Sequence, residues 1–521
     1  MYRNGKGASC ATCSRMNFSS KEGKADWKVP IPELSPFCPM CRLFDWLLGI
    51  YTDAERQSGG FLRCSTSALT SAHPLEQHFT SRVRKQRTPL AFILVFLEAE
   101  LEGTPVNTDI TRYCVVSDFG HWVYPCSERR NKSGKICWGD LHPDSSDFLV
   151  YPNHINYKNI RSLITSCIRE HECCRPRLAK ALTKTLQHFR LIHCESRRVI
   201  LIQEPRDYVA LSYVWGNDPY IPDNPGAEPI YPATIQDAIQ VTMQLGFEYL
   251  WVDRYCIDQT STHKTTQVQQ MGQIYYQASL TIFATAGTDP SYGLPGVSRA
   301  RSLPDTAVGG KYVLTPIPDK PRRYIQQSLW ATRGWTYQEA YLSRRRLFFT
   351  DAQLYFECAT APRDESVFYK GLHIAPSDGC LFPRPDFNLP DDKILFNCVV
   401  DYSHREFGFM SDRLRGFLGI LAAFATRSRY RTYHIWGIPV KLISYGTYKP
   451  LLGLFGSTPS DRSPGFPSWS WVGWSGQALN MDFQSEDYQS LVYSVELEKG
   501  DRTEALTSTL LQRYYSFGNP P

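Results

Sequence analysis

Between residues 206 and 287 the chain alternates short apolar runs with segments of helical periodicity, and few folds accept that order. The run "RDYVALSYVWG" (206–216) closes on Trp-Gly and predicts a buried strand followed by a turn. "TIQDAIQVTMQLGF" (234–247) opens on a Thr cap, spaces apolar side chains at 235, 238, 239, 243 and 245, and loses the pattern at Gly246, which predicts a helix. "EYLWVDRYCID" (248–258) is a second strand, broken where Asp253 and Asp258 appear. "TTQVQQMGQIYYQA" (265–278) puts Val268, Met271, Ile274, Tyr275 and Ala278 at helical spacing, and "SLTIFATAG" (279–287) is a third strand. Strand–helix–strand–helix–strand with short connections predicts an α/β fold with a parallel sheet. Ligands of such sheets sit beyond the carboxyl ends of the strands. Those ends hold Trp215–Gly216, Asp253 to Asp258 and Thr285 to Gly287.

Three regions separate by texture: a Cys-rich region 1–150 with the strand-like "LAFILVFL" (90–97), a middle region 155–360 with its α/β core at about 206–350, and a mixed α+β region 361–521. The last contains a helical pattern in "SDRLRGFLGILAAFATRS" and the Trp-rich "PSWSWVGW", which reads as an aromatic β element. In 521 residues, 42% apolar and 21% charged, a large core can form, and 13% aromatics should fill much of it. A net charge of +6 is too mild to argue for nucleic acid. The basic stretches "SRVRKQR" (81–87) and Arg344–Arg345–Arg346 are read as solvated faces. The first residues lack the apolar core of a secretory signal, and the longest apolar run falls far short of the roughly twenty residues a membrane span needs. A cytoplasmic protein without a membrane span is expected, with its 16 cysteines mostly reduced or bound to metal.

"RGWTYQE" (333–339) places Trp335 and Glu339 four residues apart, on one face of a helix opening there. Either Trp335 is core and Glu339 solvated, or the pair forms an aromatic wall beside a working carboxylate. Taken in order, "YVALSYVWG", "TIQDAIQVTMQLGFEYLWVDRYCIDQ", "QQMGQIYYQASLTIFATAG" and "RGWTYQEAYLSRRRLFF" resemble the heterokaryon-incompatibility (HET) domain of filamentous fungi. The flanking "CATC", "CPMCRL", "CIREHECC", "DYSHREFGFMSDRLRGFLGILA" and "PSWSWVGW" extend the likeness. The resemblance implies self/non-self recognition with programmed cell death as its output, and other incompatibility proteins or self-association as partners. HET domains are also similar, distantly, to TIR domains. "VALSYVWG" then matches the first TIR strand and its loop, and "GWTYQEAYL" the Trp-Cys-x-x-Glu-Leu element, with Thr336 for the Cys and Ala340 for the Leu. In enzymatic TIR domains that glutamate carries cleavage of the nicotinamide–ribose bond of NAD, so the resemblance implies Glu339 as catalytic residue and NAD as candidate substrate.

Such a cleavage passes through an oxocarbenium-like transition state, which one carboxylate beside the ribose stabilises. Trp215 and Trp335 can supply a stacking wall, and the turn Ser212, Tyr213, Gly216 a phosphate cradle. Arg333 either meets pyrophosphate, orients Glu339 or forms a structural salt bridge. Asp253 either binds a ribose hydroxyl or caps a helix. Cys256 is read as a buried thiol and His263 as a solvated loop residue. A module that acts by self-association or partner binding, with no chemistry, is the alternative from another class.

Cys10-x2-Cys13 and Cys38-x2-Cys41 have the form of two knuckles for a structural zinc; the other reading is packed thiols by a helical hairpin. Cys167, His171 and Cys174 supply three ligands but no evident fourth, so a packed helix end is expected there, although Cys173 or Cys194 could complete the set.

Overall fold

Buried parallel strands carry apolar residues on both faces, and the three runs of the middle region form one sheet for that reason. The computed structural model describes residues 10–14, 28–30, 34–48, 60–65, 91–97, 113–118, 150, 153–174, 188–216, 230–259, 262–304, 307–309, 312–317, 321–360, 362–365, 380–382, 391–427, 432–441, 456–457, 461–468, 470–479, 496–499 and 502–505. The basic run 81–87 lies outside them. The main sheet has eight strands: β1 (Arg190–His193), β2 (Arg198–Leu201), β3 (Val209–Ser212), β4 (Tyr249–Val252), β5 (Leu280–Ala284), β6 (Arg345–Phe349), β7 (Leu354–Cys358) and β8 (Pro362–Asp364), in the order β8-β7-β6-β5-β3-β4-β1-β2. The central strands β4, β3, β5 and β6 pair in parallel, with Leu211 beside Val252 and Ser212 beside Phe283. The expected parallel sheet is therefore its centre only. Antiparallel hairpins close both edges, β1–β2 against β4 and β7–β8 against β6. The α/β class holds, and the sheet is mixed.

The helices follow the apolar spacing with one break. Helix α1 spans Tyr157–Glu170 and α2 Ala233–Gln244, and α3 is the single turn Asp253–Cys256. The helix expected over 265–278 is two, α4 (Lys264–Gln269) and α5 (Met271–Gln277). The turn tightens at Gln270, whose N–H is shared between the carbonyls of Thr266 and Gln267 at 3.2 and 3.1 Å. Beyond β5 come α6 (Leu329–Thr332) and α7 (Gly334–Leu342), then α8 (Asp391–Ser403), α9 (Asp412–Arg415) and α10 (Leu418–Arg427). The "RGWTYQE" segment does open a helix, and Gly334 is required at its start. A Cβ there would lie 1.9 Å from Phe407 Cε1.

Two buried clusters share the sheet. One packs α1, α2 and α5 around β1, β3, β4 and β5. The other joins Phe283, Phe348 and Tyr355 to α7, α8 and α10 and to Trp471. The Trp-rich segment is β only at Trp474, which bridges Arg462: Trp471–Gly473 is a 3-10 turn capped by Ser470, and Trp471 Nε1 donates to Gly437 O at 3.0 Å. "LAFILVFL" forms a strand (Ala91–Leu97) of a separate six-stranded sheet. Among the described residues no helix is long and apolar enough to cross a membrane.

Arg344, Arg345 and Arg346 correct the expectation of a solvated run, because all three are buried. They occupy the start of a central strand, where backbone carbonyls from the chain leading into β5 and from the end of α7 accept their protons. Arg344 donates to Gln277 O, Arg345 to Ser279 O, and Arg346 to Ala340 O and Ser343 O at the end of α7. Arg346 also pairs with Glu357 at 2.7 Å, both side chains fully buried.

Candidate active site

From β3 the chain passes to β4 on one side and then to β5 on the other, so the connectivity reverses at the carboxyl end of β3. Such a switch point is where open α/β sheets leave a crevice. Ser212 is the last residue of β3, and its hydroxyl donates to Glu339 Oε2 while accepting from Trp330 Nε1 at 2.7 Å. Asp253 follows β4 directly. Its two oxygens accept from Trp215 Nε1 at 3.1 and 3.0 Å, and Oδ1 also accepts the N–H of Arg254 at 2.7 Å. Of the alternatives for Asp253, these bonds are those of an acid anchoring its own helical turn.

Helix α7 delivers Glu339 from above. The helix is not amphipathic: Thr336 through Leu342 are all buried, and Glu339 is 5% exposed. Tyr275 donates to Leu211 O at 3.1 Å, and the carboxylate of Glu339 acts on it closely enough that, after burial, it is the next cause pushing that phenol upward. Burial, and then the negative charge of Asp253, push Glu339 up to about 7 against the Ser212 hydrogen bond and the charge of Arg333. Burial likewise pushes Asp253 up to about 6, opposed by the Arg254 N–H, Trp215 and Arg333. Among the described residues neither carboxylate forms an ion pair.

The other expected residues divide. Trp215 lies against Asp253, with the Arg254 guanidinium 5.7 Å from its ring centre. Gly216 has φ +68°, and a Cβ there would meet Pro290 Cδ at 2.7 Å, so only glycine serves the turn. Tyr213 is buried, and its carbonyl accepts from Arg333 Nη1 at 3.4 Å. Arg333 makes no salt bridge among the described residues; its charge acts on both carboxylates from the mouth of α7. Trp335 is the exception. Its Nε1 donates to Asp412 Oδ2 at 3.3 Å, which ties it to α9 rather than to Ser212 and Asp253. Cys256 is buried, as expected, and burial pushes its thiol up to about 12. His263 is exposed. Sequence reasoning missed Trp330, which lies outside the motif pieces, and assigned no site role to Tyr275 or Arg254, which lie within them.

A cavity of about 340 Å³ opens beyond β5 and β6, walled by Thr285, Gly287, Tyr292, Ser328, Thr350 and Asp351. Its size suits a small molecule. Leu329 also lines it, and the next residue, Trp330, is the donor to Ser212. Glu339 and Asp253 do not line this cavity.

The cysteine pairs come together. Cys13, Cys38 and Cys41 are buried and Cys10 half-buried, and the four sulfur atoms lie within 4.8 Å of one another. Cys41 Sγ is 3.6 Å from that of Cys10 and 3.5 Å from that of Cys13. Tetrahedral zinc spaces thiolate sulfurs by roughly 3.8 Å, so this set can hold a structural metal. Cys167, His171 and Cys174 also meet, and the fourth group is Cys358, 187 residues from His171. Cys194 is buried elsewhere.

An α/β domain that sets two buried acids at the switch point of its parallel strands is the class defined by this geometry. Residues 208–339 match the family model of the Heterokaryon incompatibility protein (HET), from the residue before β3 to Glu339 itself. The chain carries a HET domain over that segment. Searches among curated proteins and among solved structures returned no match.

Proposed function

We propose that the chain is a heterokaryon-incompatibility protein in fungal self/non-self recognition, whose HET domain signals cell death by TIR-like cleavage of NAD at the nicotinamide–ribose bond. The observation that carries this reading is the pair Glu339 and Asp253. Burying two acids that form no ion pair among the described residues costs stability, and folds accept that cost chiefly where the groups work. In the reaction the C1′–N bond breaks and its electron pair stays on the ring, which leaves as neutral nicotinamide. Ionised Glu339 faces the positive charge that develops on the ribose. Water then adds at C1′ and gives up one proton, completing ADP-ribose. Asp253 tunes Glu339 by repulsion, Ser212 orients it, and Arg333 offers its charge to the pyrophosphate. The cavity beside Leu329 is of a size to take the far part of the dinucleotide.

One observation favours a second reading, a signalling module that acts by self-association or partner binding: Glu339 is 5% exposed. Incubating NAD with the full chain at high protein concentration separates the two. Nicotinamide release by wild type and not by Glu339→Ala is expected. Release by neither, from protein shown to be folded and assembled, would establish the association module instead.

A further inference from the structure

We infer that Cys167, His171, Cys174 and Cys358 hold a structural zinc ion that clamps α1 to the edge of the main sheet. Cys167 and His171 are one helical turn apart, and the His171 N–H still bonds Cys167 O at 3.0 Å as α1 ends. The 3-10 turn Glu172–Cys174 then folds Cys174 back to the same side, its N–H on His171 O at 2.9 Å. Cys358, the last residue of β7, arrives from across the sheet, its sulfur 3.3 Å from His171 Nδ1. The four ligand atoms all lie within 4.8 Å of one another; the three cysteines are buried and His171 is at the rim. Three thiolates and an imidazole are a standard tetrahedral zinc set, and four protein ligands leave no position open for catalysis.

A second observation points to an anionic centre here. Arg345 is the strand partner of Cys358, is fully buried, and donates to Cys174 O and to Ser279 O. Among the described residues no carboxylate pairs with it. A buried guanidinium needs a countercharge. Zinc with three thiolates and a neutral imidazole carries a net charge of about −1, which supplies it beside Cys174. The thiols lose their protons to solvent as the metal binds. The Thr360 N–H lies 3.4 Å from Cys358 Sγ, as an outer donor to a metal-bound thiolate does.

The ligands come from both sides of the matched segment 208–339, so the clamp joins the chain that enters the HET domain to the chain that leaves it. This placement rests on no assumption about catalysis.

Metal content tests it on the full chain purified without chelator. In a Cys38→Ser/Cys41→Ser background, which removes the N-terminal cluster, about one zinc per chain is expected. Adding Cys358→Ser should remove it, and adding His171→Cys should keep it. Cobalt in place of zinc should then show tetrahedral bands that shift between the His171 and His171→Cys chains. The His171→Cys comparison decides the matter even where Cys358→Ser fails to fold. A folded background chain without zinc or cobalt bands would overturn the proposal. So would equal zinc in folded Cys358→Ser, or cobalt bands that His171→Cys leaves unmoved.

Discussion

Glu339→Gln is expected to abolish nicotinamide release while making the fold more stable, and the opposed signs are the diagnostic. If NAD cleavage proceeds as proposed, removing the charge set to face the ribose should cost about a hundredfold or more in rate. The stability gain follows from burial. The folded chain keeps a proton on Glu339 up to about 7, whereas an ordinary glutamate releases it near 4.5. Between those values the folded state binds more protons than the unfolded one, so stability falls as pH rises through that window. Above it, the ionised, fully buried acid costs about 3 kcal/mol. Glutamine retains an oxygen to accept from Ser212 and carries no charge. Chemical denaturation should therefore find the variant more stable at about pH 8 and nearly indistinguishable at about pH 4. A packing role for Glu339 predicts the reverse, a loss of stability at both.

The second large effect concerns Glu357. Its carboxylate accepts from Arg346 Nε and Nη2 at 3.0 and 2.7 Å, from the Tyr355 hydroxyl at 2.7 Å, and from the N–H groups of Leu381 and Phe382 at 2.6 and 3.0 Å. Arg346 in turn closes the end of α7 through Ala340 O and Ser343 O. Glu357→Gln leaves the guanidinium charged, buried and without its counterion, which should cost about 3–5 kcal/mol of unfolding free energy. Replacing both partners by methionine should recover much of that loss, since no unpaired charge then remains. Denaturant midpoints of the three variants check both statements. Because this network holds the helix that carries Glu339, Glu357→Gln should also lower any activity without touching substrate.

What the sequence made legible follows from what burial does to composition. The strands β3, β4 and β5 are buried on both faces and read as continuous apolar runs, and Gly246 marks the end of the helix between the first two. The central strand β6 was illegible because it begins with two arginines, and a charge run is ordinarily solvated. The carbonyls of Cys174, Ser279, Ala340 and Ser343 and the carboxylate of Glu357 make those positions acceptable inside, and Cys174 and Ser279 lie far away in sequence. The same distance hid Cys358, whose neighbours in space lie far away in sequence. At the site, Ser212, Asp253 and Glu339 were legible as motif residues at strand ends and in "RGWTYQE". The turn of Trp335 toward Asp412 was not, because α9 belongs to a part of the chain whose packing no local pattern specifies.

On the proposed function, Glu339 and Asp253 form one electrostatically coupled working centre. The most direct measurement is nicotinamide release from NAD against pH, from about pH 5 to about pH 9, for the wild-type and Asp253→Asn chains in the same assembled state. The wild-type rate should climb as pH rises through about 7, where Glu339 ionises. In Asp253→Asn the climb should move to lower pH, because the repulsion that holds the Glu339 proton is gone. No release from folded wild-type protein at any pH, or a profile that Asp253→Asn leaves in place, would contradict it.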